Sequence, residues 1–333
     1  MSFRALVTDR NDDGSISSAV RVLDDAQLPD GDVTVDIEWA GVNYKDGLCL
    51  TGGGALVRTY PHVAGIDFAG SVRSSVDTRY KVGDKVVLTG WRVGEVWWGG
   101  YAERARVRAD WLVPLPAGFS TRDAMIVGTA GMAAMQSIMR LEDAGLVPGA
   151  GEVLVTGAAG GVGSIAISLL ARLGHDVVAL SGRPQLAETL RGLGASSIIE
   201  RNEFLSHPDR PLESARWAAA IDNVGGKILG KLLKQVKGSG AVAAVGNAGG
   251  IAFETSVLPF IMRGITLIGI DSVMQPFGTR MTTWDRLVSL FDLKAYEGLV
   301  EETVLEGLPA IAKEILAGKV QGRLLVKLAN ALS

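Results

Sequence analysis

A single cysteine in 333 residues, Cys49, excludes an intrachain disulfide framework and any metal site built from several thiolates. The three histidines, His62, His175 and His207, are scattered along the chain. Thirty-three basic against 36 acidic residues leave a net charge of −3, so there is no basic excess with which to hold nucleic acid or an anionic membrane. No apolar run reaches membrane-spanning length, because Gly, Arg or Asp interrupts every candidate. The opening MSFRALVTDRNDDG turns polar early and lacks an apolar signal core. These absences predict a cytoplasmic protein with neither nucleic-acid nor membrane partners.

What the chain does have is glycine, 43 residues of it, as a fold with many tight strand-to-helix turns requires. Apolar residues at 47% and charged residues at 21% suit a soluble globular protein long enough for two domains. Up to about residue 125 the texture is strand-like: VTVDIEW, DKVVLTG and YAERARV alternate, and turn residues break them at short intervals. This predicts an antiparallel, barrel-like domain. A helix then leads into strand–helix units, VLVTG, DVVALSG, AAAIDNVGG and AVAAVGNAGG, the pattern of a doubly wound parallel sheet with right-handed crossovers. The tail returns to mixed segments and ends on RLLVKLA. The expectation is an α/β protein: residues 1–125 and 268–333 form a β-rich catalytic domain, and residues 126–267 form a nucleotide-binding domain inserted between them.

The stretch VLVTGAAGGVG runs a strand into a turn rich in glycine, and a helical SIAISLLARLG follows. A strand that breaks on glycines and opens a helix presents bare backbone N–H groups to a phosphate, here those of Ala159, Gly160, Gly161, Val162 and Gly163. The end of the next strand selects the cofactor. An acid there would accept from a ribose 2′-hydroxyl and repel a 2′-phosphate. The chain instead has Ser181, Gly182 and Arg183, a hydroxyl and a guanidinium fork, with no acid before Glu188. Arg201 closes over the adenine or adds a second charge. The cofactor expected is NADPH.

NYKD (Asn43–Asp46), PHVAGIDFAG, VGDKV, GTAGMAA and TGAAGGVG together resemble the medium-chain dehydrogenase/reductases, in their zinc-free, quinone-oxidoreductase-like branch. LTGWRVGEVWWGGYAERARV, GIDSV, TTWDRL and QGR narrow the resemblance to the NADPH-dependent acrylyl-coenzyme A reductases. Those motifs span nearly the whole chain. The resemblance implies a GroES-like catalytic domain with a Rossmann domain and, as partners, a CoA-thioester substrate and a second copy in a homodimer. The implied reaction is reduction of acrylyl-CoA to propionyl-CoA. Zinc enzymes of the superfamily carry Cys in the segment occupied here by NYKD and a His-Glu pair where this chain has Ile66-Asp67, so no catalytic zinc set is expected.

Without a metal, positioning and the cofactor must carry the chemistry: hydride to Cβ, stabilisation of the enolate oxygen and a proton at Cα. The resemblance puts Tyr44 beside the nicotinamide, where its phenol hydrogen-bonds the cofactor or relays a proton, or where it only packs against the ring. Lys45 and Asp46 form either a catalytic pair or an ion pair or cap, and Asp67 caps buried backbone. Thr129 and the N–H groups near it bind cofactor or serve helix packing. Asn247, Ile270 and Ser272 end strand-like runs on the edge where ligands sit in open α/β sheets. Arg323 reaches a phosphate of NADPH or CoA, or lies on the surface. Trp97 and Trp98 form a pocket wall or lid, or pack in the core. Arg280, Arg286 and Lys294 are candidates for a basic rim toward CoA. The alternatives to the thioester reductase are a quinone or free-enone reductase with the same machinery and a non-enzymatic NADPH-binding protein.

Overall fold

The computed structural model describes residues 1–206 and 210–328, which leaves His207 outside the described residues. The chain divides into two compact units. Unit 1 comprises residues 1–129, 272–288 and those from 297 onward; unit 2 comprises 130–271 and 289–296. The expected seam at 267/268 cuts the strand Thr266–Gly269, whose ladder partner is in unit 2, so the chain returns to unit 1 a few residues later than its composition suggests.

Unit 1 is built on two mostly antiparallel sheets. In the larger, Val33–Val42 pairs with Asp67–Ser75, Arg104–Val107 and Arg323–Lys327, and the sheet continues through Lys85–Thr89 to Leu112–Pro114. In the smaller, Ser2–Arg10 lies between Ile16–Asp24 and His62–Val63. Leu6 N–H donates to Tyr101 O at 2.8 Å and Glu103 N–H to Arg4 O at 2.8 Å, which ties the smaller sheet to the segment leading into Arg104–Val107 of the larger one. Alternation along the strands sends Val33, Val35, Ile37, Phe68, Val86, Leu88 and Leu112 into one core. Two helices concern the site: α1 (Tyr44–Thr51) and α2 (Thr121–Asp143). α2 starts earlier than its apolar periodicity suggests and is broken at Gly128, where φ is 49° and ψ −151°.

Unit 2 holds a six-stranded parallel sheet: β1 (Glu152–Thr156), β2 (Asp176–Ser181), β3 (Ser197–Glu200), β4 (Trp217–Asp222), β5 (Val236–Ala244) and β6 (Thr266–Gly269). Their order is 3-2-1-4-5-6, the doubly wound Rossmann arrangement. Val153, Leu154 and Val155 of β1 and Val177, Val178 and Ala179 of β2 are all fully buried, since a parallel sheet covered on both faces needs continuous apolar strands rather than alternating ones. The order reverses at β1, between β2 and β4, and the helix α3 (Gly161–Arg172) leaves from that point. Among the described residues no helix is long and apolar enough to cross a membrane.

Candidate functional site

In unit 2 the turn after β1 is shaped by close approach. Gly157 takes φ 59°, and a Cβ on Gly163 would meet Ala158 Cα at 2.8 Å and run into Gly157 O, so only glycine fits where α3 crosses the turn. Gly160 is the N-cap of α3, and its N–H closes the turn onto Gly157 O at 3.0 Å. Gly161, Val162 and Gly163 then supply the first-turn amides, which a helix leaves without intrahelical acceptors. Ala159 lies in the turn itself, nearly buried. The carboxyl ends of β1 and β4 are latched together beside this turn. Thr156 Oγ1 donates to Asp222 Oδ1 at 2.6 Å, Asn223 Nδ2 donates to Thr156 O at 2.7 Å, and Gly225 N–H donates to Asp222 Oδ2 at 2.8 Å. Asp222 is fully buried, and burial pushes its carboxyl pKa up. The sequence reading missed this latch; its one signal is an acid closing the apolar run AAAID.

At the end of β2, Ser181, Gly182, Arg183 and Arg201 come together. Ser181 Oγ accepts from Arg183 N–H at 3.1 Å. The Arg201 guanidinium lies against Gly182, its Cζ 3.0 Å and its Nε 3.2 Å from where a Cβ would stand. Two guanidinium-bearing residues and one hydroxyl therefore flank a position with no side chain. Arg183 is half-buried, and the burial disfavours its charge. Asn247 is exposed beyond β5, and Ile270 follows β6 with its N–H on Ala244 O at 3.0 Å; both lie on the carboxyl edge of the sheet. Ser272 falls in unit 1 instead.

In unit 1 the NYKD segment opens α1. Asn43 is its N-cap, and Asn43 N–H donates to Asp46 Oδ2 at 2.9 Å, half of a capping box. Lys45 turns to Glu95 Oε1 at 3.0 Å, so it is not paired with Asp46. Asp46 and Asp67 are both fully buried, and Asn43 Nδ2 donates to each at 3.2 Å. Asp67 also accepts from Gly41 N–H at 3.0 Å and from Thr129 N–H at 2.7 Å. The backbone N–H of Thr129 is thus engaged by Asp67 rather than open to a ligand, which corrects that part of the expectation; its Oγ1 is buried without a hydrogen-bond partner. Tyr44 keeps 37% of its surface exposed at the start of α1.

Arg323 is 2% exposed. Its guanidinium donates to Ile126 O (2.8 Å), Met125 O (3.2 Å), Val42 O (3.4 Å) and Asn43 Oδ1 (3.2 Å). The expected phosphate contact is therefore replaced by a structural one, because its donors are turned inward onto carbonyls. Trp97 packs edge-on against Trp111 at 5.2 Å and donates to Arg106 O, a packing residue rather than a lid. Trp98 donates to Pro61 O at 3.3 Å.

Trp91 and Arg92 follow Gly90 in left-handed backbone, φ 56° and 59°. They are held there by Arg280, buried to 1% exposure, which donates to Thr89 O (2.7 Å), Val273 O (2.6 Å) and Gln275 O (3.0 Å) and lies 4.8 Å from the Trp91 ring centre. Arg280 is consequently a clamp and not part of a basic rim. Arg286 and Lys294 fall in different units, so the three do not gather within one unit. The Ile66 side chain has no metal-ligating atom, the oxygens of Asp46 and Asp67 accept from amides, and among the described residues no three His, Cys, Asp or Glu side chains are grouped to hold a metal ion.

Residues 29–117 match the alcohol dehydrogenase GroES-like domain and residues 161–290 the zinc-binding dehydrogenase domain. The chain is 54% identical to the acrylyl-CoA reductase AcuI of Ruegeria pomeroyi, over 97% of this chain and 98% of that protein. The structure of the yhdH oxidoreductase from Salmonella enterica in complex with NADP superposes with a TM-score of 0.95 at 51% identity, covering 99% of this chain and 100% of that one. The structure of Bacillus subtilis YhfP, a putative quinone oxidoreductase, with NAD bound gives 0.94 at 43% identity, covering 98% and 100%.

Proposed function

The chain belongs to the medium-chain dehydrogenase/reductases, in the acrylyl-CoA reductase group of their quinone-oxidoreductase-like branch, and we propose that it reduces the C=C bond of acrylyl-CoA to give propionyl-CoA with NADPH. The observation that carries the cofactor is the cluster of Ser181, Arg183 and Arg201 around the bare Gly182, where a carboxylate would stand in an NAD site. The residues fit that group: Ser181, Arg183 and Arg201 would hold the 2′-phosphate, and the amides of Gly161, Val162 and Gly163 the diphosphate.

When bound, NADPH supplies the hydride for Cβ of the acrylyl group. The protein has to orient the thioester, meet the charge that develops on its carbonyl oxygen and deliver a proton to Cα. Tyr44 is our candidate for relaying that proton, since it is the exposed hydroxyl on the segment that the family places beside the nicotinamide. Thr129, with its unpartnered buried hydroxyl, is our candidate for holding the nicotinamide side, together with Asn247, Ile270 and Ser272.

We further propose a cytoplasmic homodimer. In support, among the described residues β6 is an edge strand paired with β5 alone, and near it in sequence are the exposed apolar residues Ile251, Val257, Ile261 and Met262, a surface suited to a second copy. Sedimentation that returns a monomer at micromolar concentration would remove that part.

The deciding experiment follows NADPH consumption with acrylyl-CoA, a small quinone and free acrylate in parallel, with NADH as the cofactor control. Turnover confined to acrylyl-CoA with NADPH is expected. Preference for the quinone would move the function to that of the Bacillus relative's name, and no turnover with any acceptor would end the reductase reading.

A further inference from the structure

Two carboxyl groups with no exposed surface stand in unit 1 beside the residues we assign to the chemistry. They are joined through one amide: Asn43 Nδ2 donates to Asp46 Oδ2 and to Asp67 Oδ2, both at 3.2 Å, while Asn43 Oδ1 accepts from Arg323 Nη1 at 3.2 Å. The amide orientation is therefore fixed from both ends. Four further amide hydrogens converge on the pair: those of Asn43 and Ile66 on Asp46, at 2.9 Å each, and those of Gly41 and Thr129 on Asp67.

The charges around the pair are few. Arg323 is the cation of the cluster, and Lys45 is matched by Glu95. The other neighbours are neutral: the Cys49 thiol, which burial pushes above its usual range, and the Tyr101 phenol, which burial holds protonated. With both carboxyls ionised, one negative charge would remain uncompensated in a dry interior, and a proton is the cheapest way to remove it. Tyr101 donates to Gly41 O at 3.2 Å, and burial together with the neighbouring Asp46 and Asp67 carboxyls keeps its phenol neutral.

The geometry also shows what the pair holds. Tyr44 lies between Asn43 and Asp46 at the start of α1, and the Thr129 backbone is fixed by the 2.7 Å bond to Asp67. Gly128, just before Thr129, is glycine because a Cβ there would stand 2.8 Å from Asp67 Oδ2 and 2.9 Å from Arg323 Nη2.

We propose that Asp46 and Asp67 form a dyad that carries one proton, held on Asp46, and that positions Tyr44 and Thr129 for the reaction; loss of that proton from Asp46 at higher pH loosens the hold. The proposal rests on the reductase reading above for its kinetic arm only. In agreement with it, burial and the neighbouring Asp67 charge raise the Asp46 pKa to about 7. Both are positioning residues, acting through Asn43 and the Thr129 amide.

The test is infrared difference spectroscopy of the purified protein titrated from about pH 6 to about pH 8, alongside steady-state kinetics with acrylyl-CoA and NADPH. Wild type, Asp46→Asn and Asp67→Asn are compared, and circular dichroism establishes that each variant is folded. We expect a protonated-carboxyl band in the wild type that fades over the interval and is missing from Asp46→Asn. The wild-type kcat falls over the same interval and the Asp46→Asn kcat is flat, with KM for NADPH changed less than about twofold. No titrating carboxyl band, or a kcat limb that persists in folded Asp46→Asn, overturns the dyad. The band is read without substrate, so a positive spectrum with no acrylyl-CoA turnover would sink the reductase reading and leave the dyad intact.

Discussion

Replacing Arg183 with Ala tests the cofactor site most directly. The residue is half-buried at the end of β2, with its N–H on Ser181 Oγ and the Arg201 guanidinium across Gly182. On the proposed reading, truncation removes one of the two guanidiniums that would hold the 2′-phosphate and leaves the hydroxyl and Arg201 in place. A hydrogen bond to a charged group contributes about 1.5–3 kcal/mol, which corresponds to a loss of about 10- to 150-fold in kcat/KM for NADPH. NADH has no 2′-phosphate, so its kcat/KM is expected to change less than about threefold. Removing Arg201 as well should cost less than the sum of the single losses, because the two residues flank the same position and share its charge. Gly182→Asp is the converse. Its carboxylate displaces only the flexible end of Arg201, repels a 2′-phosphate and offers an acceptor to a ribose hydroxyl, so preference should turn toward NADH. The assay is initial-rate oxidation of each cofactor at saturating acrylyl-CoA. Equal losses with NADPH and NADH in Arg183→Ala would show that the residue supports the loop and does not read the phosphate, and the end of β2 would not select the cofactor.

Three further outcomes are expected. Asp46 should make stability fall as pH rises: its carboxyl ionises near 3.8 when unfolded but about 7 when folded, so between those values the native state alone holds the proton. The linkage amounts to at most about 4 kcal/mol, and thermal midpoints at pH 5 and pH 8 should differ less in Asp46→Asn than in wild type; an unchanged difference would assign the slope elsewhere. Gly128→Ala places a Cβ against Asp67 and Arg323 in backbone of φ 49°, and should cost about 3 kcal/mol or more, seen as a lowered midpoint together with lost turnover; a wild-type midpoint would contradict the packing. Arg280→Met leaves the buried carbonyls of Thr89 and Val273 without that donor, at about 1–3 kcal/mol each, and should open the Trp91–Arg92 turn to protease; a cleavage pattern like that of wild type would refute the clamp.

The sequence by itself determined whatever is local. The run VLVTGAAGGVG reads as a strand, a turn and a helix start because glycine spacing and apolar periodicity act within one strand–turn–helix segment. Ser181-Gly182-Arg183 reads as a phosphate-selecting end because its members are consecutive. The doubly wound sheet was legible for the same reason, since each strand–helix unit carries its own pattern. Asn43 and Asp46 were within reach too, as an N-cap and the residue three further on.

The tertiary structure decided everything that joins distant segments. Arg323 has the look of a surface guanidinium in QGR, but strand pairing with Val33–Val42 carries it inward onto carbonyls of α2 and the oxygen of Asn43. Asp67, Thr129 and Asn43 are far apart in the chain, and only the meeting of a sheet strand, the break at Gly128 and the start of α1 puts their polar groups within hydrogen-bond reach. Arg280 passed for a member of a basic rim until Thr89 and Val273 were brought beside it. Burial is a property of the whole packed core, so it alone converts two ordinary aspartates into a pair that cannot both hold their charge at low cost.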